Sequence, residues 1–273
     1  MNILILGGDE RFISLEKILN ENNFKTKTSF LNSNDENFKK INNFDIIFLP
    51  IPFSKNNFLN APFYSEKINT ESIFSNLKNF KGKIIGGFDK NSENTLKEMN
   101  LNFINILKDE KFTLINAIIT AEGSIEKLIH ESEKSLFESK VCIIGYGRVS
   151  KALSRRIEPL CEDLIVYNNP SINYVYTKID NIKSRTLDNF KNEAKNFNII
   201  VNTIPHLIIT KEILNSLNKK TLILDLSSLP GGVDFKYANI KNIKTIHYLG
   251  IPAKVSRESS SKAIFNFFKE NLK

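Results

Sequence analysis

Lys140-Val141-Cys142-Ile143-Ile144-Gly145-Tyr146-Gly147-Arg148-Val149-Ser150 is the stretch that decides the fold of this chain. A short apolar run ends in two glycines one residue apart and passes into a helix-like segment, so it reads as a strand, a tight turn and a helix start. Gly145 supplies the backbone angles of the turn, and Gly147 has no Cβ to hold a diphosphate away. The amides that open the helix then point at phosphates, where the helix dipole favours negative charge. Ser150 stands where a third glycine is usual and is small enough for helix and strand to pack closely. Leu164-Ile165-Val166-Tyr167 follows about twenty residues on as the second strand of such a unit. Gly145, Tyr146, Gly147, Arg148, Val149 and Ser150 are therefore read as a dinucleotide cradle, with a purely structural strand-turn-helix as the alternative.

Working outward, strands are expected over residues 141–144, 163–167, 174–177, 198–202, 222–226 and 244–248, the six of a complete dinucleotide-binding sheet. Ligands of such sheets lie beyond the carboxyl ends of the strands. That places Asn202-Thr203-Ile204-Pro205-His206, Ser227-Ser228-Leu229-Pro230-Gly231-Gly232 and Gly250-Ile251-Pro252 around the ligand.

Before the cradle, short apolar runs at 3–6, 25–30, 45–49, 83–87 and 101–106 alternate with stretches long enough for helices, as in a smaller doubly wound domain. Phe12, Leu15, Ile18 and Leu19 share a helical face after Gly7-Gly8-Asp9-Glu10-Arg11, whose adjacent glycines lack the nucleotide-binding spacing. Arg11 reads as a charged group at the mouth of a cleft or as a surface arginine. Residues 56–80, rich in Asn, Ser, Phe and Pro, read as a long loop with one short helix, and 123–137 as a helix bridging two domains. The expected organisation is α/β: two doubly wound Rossmann-like domains with a cleft between them. Their spans are 1–115, a linking segment and bridge helix at 116–137, a dinucleotide-binding domain at 138–256, and a helix at 257–273 packing back.

At 273 residues and 41% hydrophobic composition the chain is long enough for two such cores. Two cysteines and three histidines give neither a disulfide framework nor metal-ligand spacing, which fits a reducing cytoplasm. The apolar start lacks a basic leader and breaks at Gly7-Gly8, and no stretch reaches the roughly 18 apolar residues of a membrane span. The formal charge of +8 is dispersed, with no run of Lys or Arg longer than two residues, so it argues against nucleic acid and is compatible with anionic ligands.

Four separated stretches together resemble the A-subunit family of dipicolinate synthase: Gly7-Gly8-Asp9-Glu10-Arg11, Thr120-Ala121-Glu122-Gly123, Gly145-Tyr146-Gly147-Arg148, and Asn202-Thr203-Ile204-Pro205 with Asp225-Leu226-Ser227-Ser228-Leu229-Pro230-Gly231-Gly232-Val233-Asp234-Phe235. The resemblance covers nearly the whole chain and is most specific in the last stretch. It implies an NAD(P)-dependent enzyme of the mother-cell cytoplasm of spore formers, working with the flavoprotein-like second subunit of dipicolinate synthase. The implied reaction converts a hydroxylated tetrahydropyridine dicarboxylate into pyridine-2,6-dicarboxylate; a homo-oligomer is compatible with it. The chain departs from the family at Asn168-Asn169-Pro170, where relatives carry an arginine, and at 255–261. The acidic residue expected for NAD is also missing, so Asn168 and Arg148 favour NADP, with NAD the alternative. Thr203, Ile204, Pro205 and Ser227 complete the expected cofactor contacts.

For catalysis, His206 is the general base by residue type, against a plain loop histidine. Glu122, with Thr120 beside it, takes a ring proton or orients the substrate, against a glutamate that merely stabilises a helix N-terminus. Arg11, Ser228 and Gly231 are the expected substrate contacts, since a dicarboxylate calls for fixed cations and hydrogen-bond donors. Two rivals remain: a non-catalytic, nucleotide-binding regulatory protein, and an oxidoreductase like the 2-hydroxyacid dehydrogenases, whose Arg, Glu and His spacing is not found.

Overall fold

A computed structural model of the chain describes residues 1–33, 35 and 41–272; residues 34 and 36–40 of the expected first domain and Lys273 of the expected terminal helix lie outside the described residues. The chain divides into two compact units, Met1–Asn116 with Pro252–Lys273, and Ala117–Ile251.

The first unit runs β1 (Asn2–Leu6), α1 (Glu10–Glu21), β2 (Lys25–Ser29), β3 (Ile46–Phe48), a hairpin of β4 (Ser54–Lys55) and β5 (Phe58–Leu59), α2 (Thr70–Leu77), β6 (Lys83–Gly86), α3 (Lys90–Glu98) and β7 (Phe103–Asn105). Its parallel sheet has the order β2-β1-β3-β6-β7, a doubly wound sheet of the flavodoxin type. β1 is apolar from Ile3 to Leu6 because both its faces are buried there. Ile3 and Ile5 pack with Phe12, Leu15 and Leu19 of α1, while Leu4 and Leu6 pack with Ile47, Leu49 and Ile84. Residues 56–80, expected as a long loop with one short helix, carry that helix as α2 and in addition β5.

The next helix, α4 (Glu110–Glu131), contributes residues to both units. Gly123 lies inside it, so the helix expected over 123–137 begins thirteen residues earlier (123 − 110) and ends before Leu136. The isolated glycine did not break it, because Ala121 and Leu128 on either side are buried in one cluster and hold that turn in place.

In the second unit follow β8 (Lys140–Ile144), α5 (Arg148–Ile157), β9 (Asp163–Asn168), α6 (Ile172–Ile179), β10 (Ser184–Thr186), α7 (Leu187–Glu193), β11 (Ile199–Asn202), α8 (Lys211–Ser216), β12 (Leu222–Asp225), α9 (Phe235–Ile240) and β13 (Thr245–His247). The sheet order is β10-β9-β8-β11-β12-β13, all parallel, the complete dinucleotide-binding arrangement. Residues 174–177, expected as the third strand, are helical instead. Their aromatic and β-branched content suits a strand, but the connection between parallel neighbours needs a crossover, and the strand itself forms at Ser184–Thr186. Val141 and Ile143 face Leu153 and Ile157 of α5, whereas Cys142 and Ile144 face Phe190, Ile213 and Leu214. The register aligns Ile144 with Tyr167 and Asn202, Asn202 with Asp225, and Asp225 with His247, so these residues share the carboxyl edge of the sheet.

The chain ends in α10 (Ile251–Lys254) and α11 (Arg257–Glu270). α11 belongs to the first unit and packs on α1; Phe268, fully buried, meets Phe24 and Phe48 edge-on at 5.3 Å each, a burial that stabilises by about 2 kcal/mol.

Candidate functional site

The carboxyl edge of the second sheet gathers most of the residues expected to bind a nucleotide. β8 ends at Ile144, and Gly145 turns the chain with a φ of +94° while its N–H donates to the Tyr167 carbonyl at 2.8 Å. A Cβ on Gly145 would lie 2.6 Å from Thr203 Oγ1, so both the backbone conformation and the close approach of the neighbouring loop require glycine. Gly147 is the N-cap of α5, and a Cβ there would meet nothing within 4 Å. The space in front of this helix start is open. Arg148, exposed, is the first residue of α5, and no acidic residue stands in that first turn, so the helix end attracts an anion. Val149 is half-buried behind it.

Two cradle residues do something other than touch a ligand with their side chains. The Tyr146 ring is buried in the core, and its hydroxyl donates to Asp180 at 2.8 Å; burial, with the hydrogen bond to that carboxylate, pushes its pKa up to about 12. The expected contact through Tyr146 is thus confined to its backbone. Ser150 is fully buried, and its hydroxyl is 2.8 Å from Thr203 Oγ1, whose own proton goes to the Ile144 carbonyl at 2.8 Å. A glycine at this position would allow close packing; the serine adds a hydrogen bond that ties the start of α5 to the loop after β11.

Asn168, the last residue of β9, is 6% exposed. Among the described residues its Nδ2 is a buried side-chain donor with no hydrogen-bond partner. Such a group costs roughly 1–3 kcal/mol if it stays unpaired, so its place at the carboxyl end of the second strand fits a ligand that brings a hydroxyl or phosphate oxygen. The open space ahead of Gly147 and this amide fit the two ends of one anionic, hydroxyl-bearing ligand.

Around the ends of β11 and β12 lies a network that the sequence did not reveal. The Asp225 carboxylate, fully buried, accepts from Asn202 Nδ2 at 2.9 Å, Ser227 N at 3.0 Å and Ser227 Oγ at 2.7 Å through Oδ1, and from Gly232 N at 2.7 Å through Oδ2. Asn202 Nδ2 also donates to the Ile204 carbonyl at 2.9 Å. Gly231, with φ at +97°, and Gly232 allow this close wrapping; a Cβ on Gly232 would lie 2.3 Å from Asn202 Nδ2. His247 stacks on Phe235 at 5.1 Å, and its Nε2 is 2.8 Å from the Ser227 carbonyl. Pro205, His206 and Ser228 stand exposed on the loops so fixed, Ile204 is half-buried, and Ser227 and Gly231 are buried. The only early sign of the network was the concentration of Asp, Ser and Gly in the most family-specific stretch.

Thr120 and Glu122 sit within α4, not at a helix start as expected, so the reading of Glu122 as an N-terminal helix stabiliser falls. Glu122 is exposed, with Arg156 Nε 3.7 Å away, and the Thr120 carbonyl accepts from Ser124 at 2.7 Å. Arg11, in the first unit, is neither a surface residue nor a cation standing open. It is 5% exposed, its Nε and Nη2 hold both oxygens of Asp9 at 2.9 and 2.8 Å, and Nη2 also donates to the Ile51 carbonyl. Among the described residues no helix is long and apolar enough to cross a membrane, and no group of three or more His, Cys, Asp or Glu could hold a metal ion.

Residues 2–107 match the family described as the N-terminal domain of the dipicolinate synthase A-subunit. The chain is 30% identical to the dipicolinate synthase A-subunit of Bacillus subtilis (strain 168) over 181 residues, 66% of this chain and 61% of that protein's length. In sequence this chain is therefore similar to the A-subunit of dipicolinate synthase, over its first 107 residues to that family's N-terminal domain. The crystal structure of the A chain of dipicolinate synthase from Bacillus subtilis superposes with a TM-score of 0.83 at 24% identity, covering 100% of this chain and 95% of that one. The fold extends beyond the dipicolinate synthase family to dehydrogenases. A D-isomer specific 2-hydroxyacid dehydrogenase from Lactobacillus delbrueckii ssp. bulgaricus, solved in its NAD complexed form, gives a TM-score of 0.57 at 12% identity over 100% of this chain and 96% of that one.

Proposed function

We propose that this chain is the nicotinamide-nucleotide-binding subunit of a dipicolinate synthase, acting with a flavoprotein-like second subunit in the mother-cell cytoplasm of a spore former. The pair removes water, a hydride and a proton from a hydroxylated tetrahydropyridine-2,6-dicarboxylate to leave the aromatic pyridine-2,6-dicarboxylate. The observation that carries the reading is the buried, unpartnered amide of Asn168 at the end of β9, on the same sheet edge as the open helix start at Gly147. A dinucleotide satisfies both, its diphosphate on the first amides of α5 and its adenosine ribose on Asn168. A neutral donor, with Arg148 on α5, favours NADP over NAD.

When bound, the oxidised nicotinamide supplies the hydride acceptor. The chain's own residues supply position and proton handling. Thr203, Ile204, Pro205 and Ser227 lie along the nucleotide, in loops held rigid by the Asn202–Asp225 network. His206, exposed on one of them, takes the ring proton that leaves as the hydride departs. Ser228, exposed, holds a substrate carboxylate, and the Gly231 N–H, which donates to the Ser228 carbonyl at 3.0 Å, fixes the loop that presents it, while Thr120 and Glu122 orient the substrate. Arg11, expected as a substrate contact, is committed to Asp9 and Ile51 and holds the first unit's loops in place instead.

The deciding experiment measures pyridine dicarboxylate absorbance and nicotinamide reduction with each polypeptide alone and with both. Product from the pair, and nicotinamide reduction that requires this chain, support the reading. Reduction by the flavoprotein-like partner alone assigns the chemistry to that partner and leaves this chain a nucleotide-binding protein.

A further inference from the structure

α6 packs with its faces reversed. The side chain it buries is Thr177, fully inside, bonded to the Tyr174 carbonyl at 2.6 Å and to Ser184 Oγ at 2.7 Å. Its apolar side chains face water instead: Ile172, Val175, Tyr176 and Ile179 are 69, 57, 38 and 71% exposed. They occupy positions i, i+3, i+4 and i+7 and so form a single stripe along the helix. Apolar residues exposed singly are ordinary, but four on one face of an eight-residue helix make a continuous patch that water disfavours.

Charge borders the stripe on both sides. Lys178 follows Val175 round the helix, with its Nζ 5.1 Å from the Tyr174 ring, and Lys151 of α5 places its Nζ 3.6 Å from the Tyr176 ring. Asp180 is held by Tyr146 and Arg155 and also acts on Lys151, so it offsets part of the charge on that side and leaves the Lys178 side to Lys178.

We propose that the exposed face of α6 is the docking surface for a different polypeptide, the second subunit of the enzyme, which presents an apolar patch bordered by carboxylates. This rests on the reading of the chain as one member of a two-subunit enzyme. A second copy of this chain is the poorer occupant. A symmetric contact would set Lys151 and Lys178 of one copy against the same lysines of the other, and each copy carries a formal charge of +8.

The test uses the purified, flavoprotein-like second subunit of dipicolinate synthase as the probe, with binding followed by calorimetry. Its ligands are wild type, an Ile172→Ser/Ile179→Ser variant and a Lys151→Glu/Lys178→Glu variant. Circular dichroism and melting temperature serve as folding controls, since Ile172, Lys178 and Ile179 are exposed and Lys151 is half-buried over the Tyr146 and Tyr176 rings. The apolar pair is expected to weaken binding by about 100-fold and the charge pair by about 10-fold, the latter shrinking as salt rises. Equal affinities for wild type and both variants overturn the surface while leaving the two-subunit reading intact. No binding by wild type overturns that reading and this proposal with it. A wild-type homodimer that the apolar pair converts to a monomer, seen by light scattering, overturns the proposal in favour of a second copy.

Discussion

Asn202 and Asp225, the last residues of adjacent parallel strands, are joined side chain to side chain at 2.9 Å, and both are fully buried. A carboxylate out of water is tolerated only where donors replace its hydration, and here Ser227 and Gly232 complete the set. Asp225→Ala removes one acceptor and leaves several donors unsatisfied, so a loss of about 3 kcal/mol of unfolding free energy is expected in urea. Asp225→Asn keeps the shape but turns an N–H toward other donors, and should lose more than half as much. A change below about 1 kcal/mol in both would mean that the network does not fix the loop.

Arg11 and Asp9 lead to a similar expectation for the first unit. Arg11→Ala leaves Asp9 nearly buried without its cation and the Ile51 carbonyl without a donor, which should destabilise by about 3–5 kcal/mol. Arg11→Lys offers a point charge where a planar fork grips two oxygens, and should recover only part of that. Chemical denaturation checks both variants. A stable Arg11→Ala protein with a lowered specificity constant would instead return Arg11 to the substrate.

How far these features could be read in advance depends on the range of the interactions that create them. β8 and the turn at Gly145 were legible because a buried parallel strand is apolar on both faces and the turn needs a specific residue just after the strand, two positions before the helix N-cap. Residues 174–177 misled, since their strand-like composition is local while the need for a crossover belongs to the whole sheet. α4 misled for the same reason: Gly123 looks like a boundary until the packing of Ala121 and Leu128 is known. The pairing of Asp225 with Asn202 joins residues 23 apart in sequence, and that of Ser150 with Thr203 joins residues 53 apart; no periodicity announces either. Arg11 and Asp9 are two residues apart and visible, but their burial under Ile51 is not.

The pH response of the second unit should show in the alkaline range. Tyr146, buried and donating to Asp180, has its pKa pushed up to about 12, against about 10 in the unfolded chain. The unfolded state therefore loses this proton first. The stabilising contribution is fully present below about pH 10 and is lost as pH rises from about 10 to 12. Burial and the Glu193 hydrogen bond raise Tyr167 in the same direction. Denaturant midpoints between pH 9 and about 12 should fall for wild type and fall less steeply for Tyr146→Phe; parallel curves would refute the assignment.

The two glycines of the cradle should respond oppositely to substitution. Gly145→Ala forces a side chain into a left-handed turn 2.6 Å from Thr203 Oγ1, and is expected to lower stability by more than about 2 kcal/mol. Gly147→Val meets open space, so the melting temperature should stay within a few degrees of wild type. The branched side chain nevertheless fills the approach to the amides of α5, and cofactor affinity should fall by about 100-fold. Calorimetric titration of the folded variant decides it, and an unchanged affinity would reduce the motif to a structural turn.

Cofactor choice should turn on Asn168 and Arg148. Most dehydrogenases that prefer NAD place a carboxylate at the end of the second strand, where it accepts from the ribose hydroxyls and repels a 2′-phosphate. Here the position holds a neutral amide whose Nδ2 can only donate, and an arginine opens the neighbouring helix. Both favour a ligand that brings more oxygen and more negative charge, so NADP should bind more tightly than NAD. Arg148→Ala should weaken NADP by about 10-fold, the loss of one charge-assisted contact of roughly 1.4 kcal/mol, while NAD hardly changes. Asn168→Asp should act more strongly, because a carboxylate at a site 6% exposed repels the phosphate and gains a hydrogen bond from the 2′-hydroxyl. The preference is then expected to reverse. Calorimetry with both nucleotides on the two variants separates the contributions. Equal wild-type affinities, or a ratio that neither substitution moves, would remove Asn168 and Arg148 from the choice of cofactor.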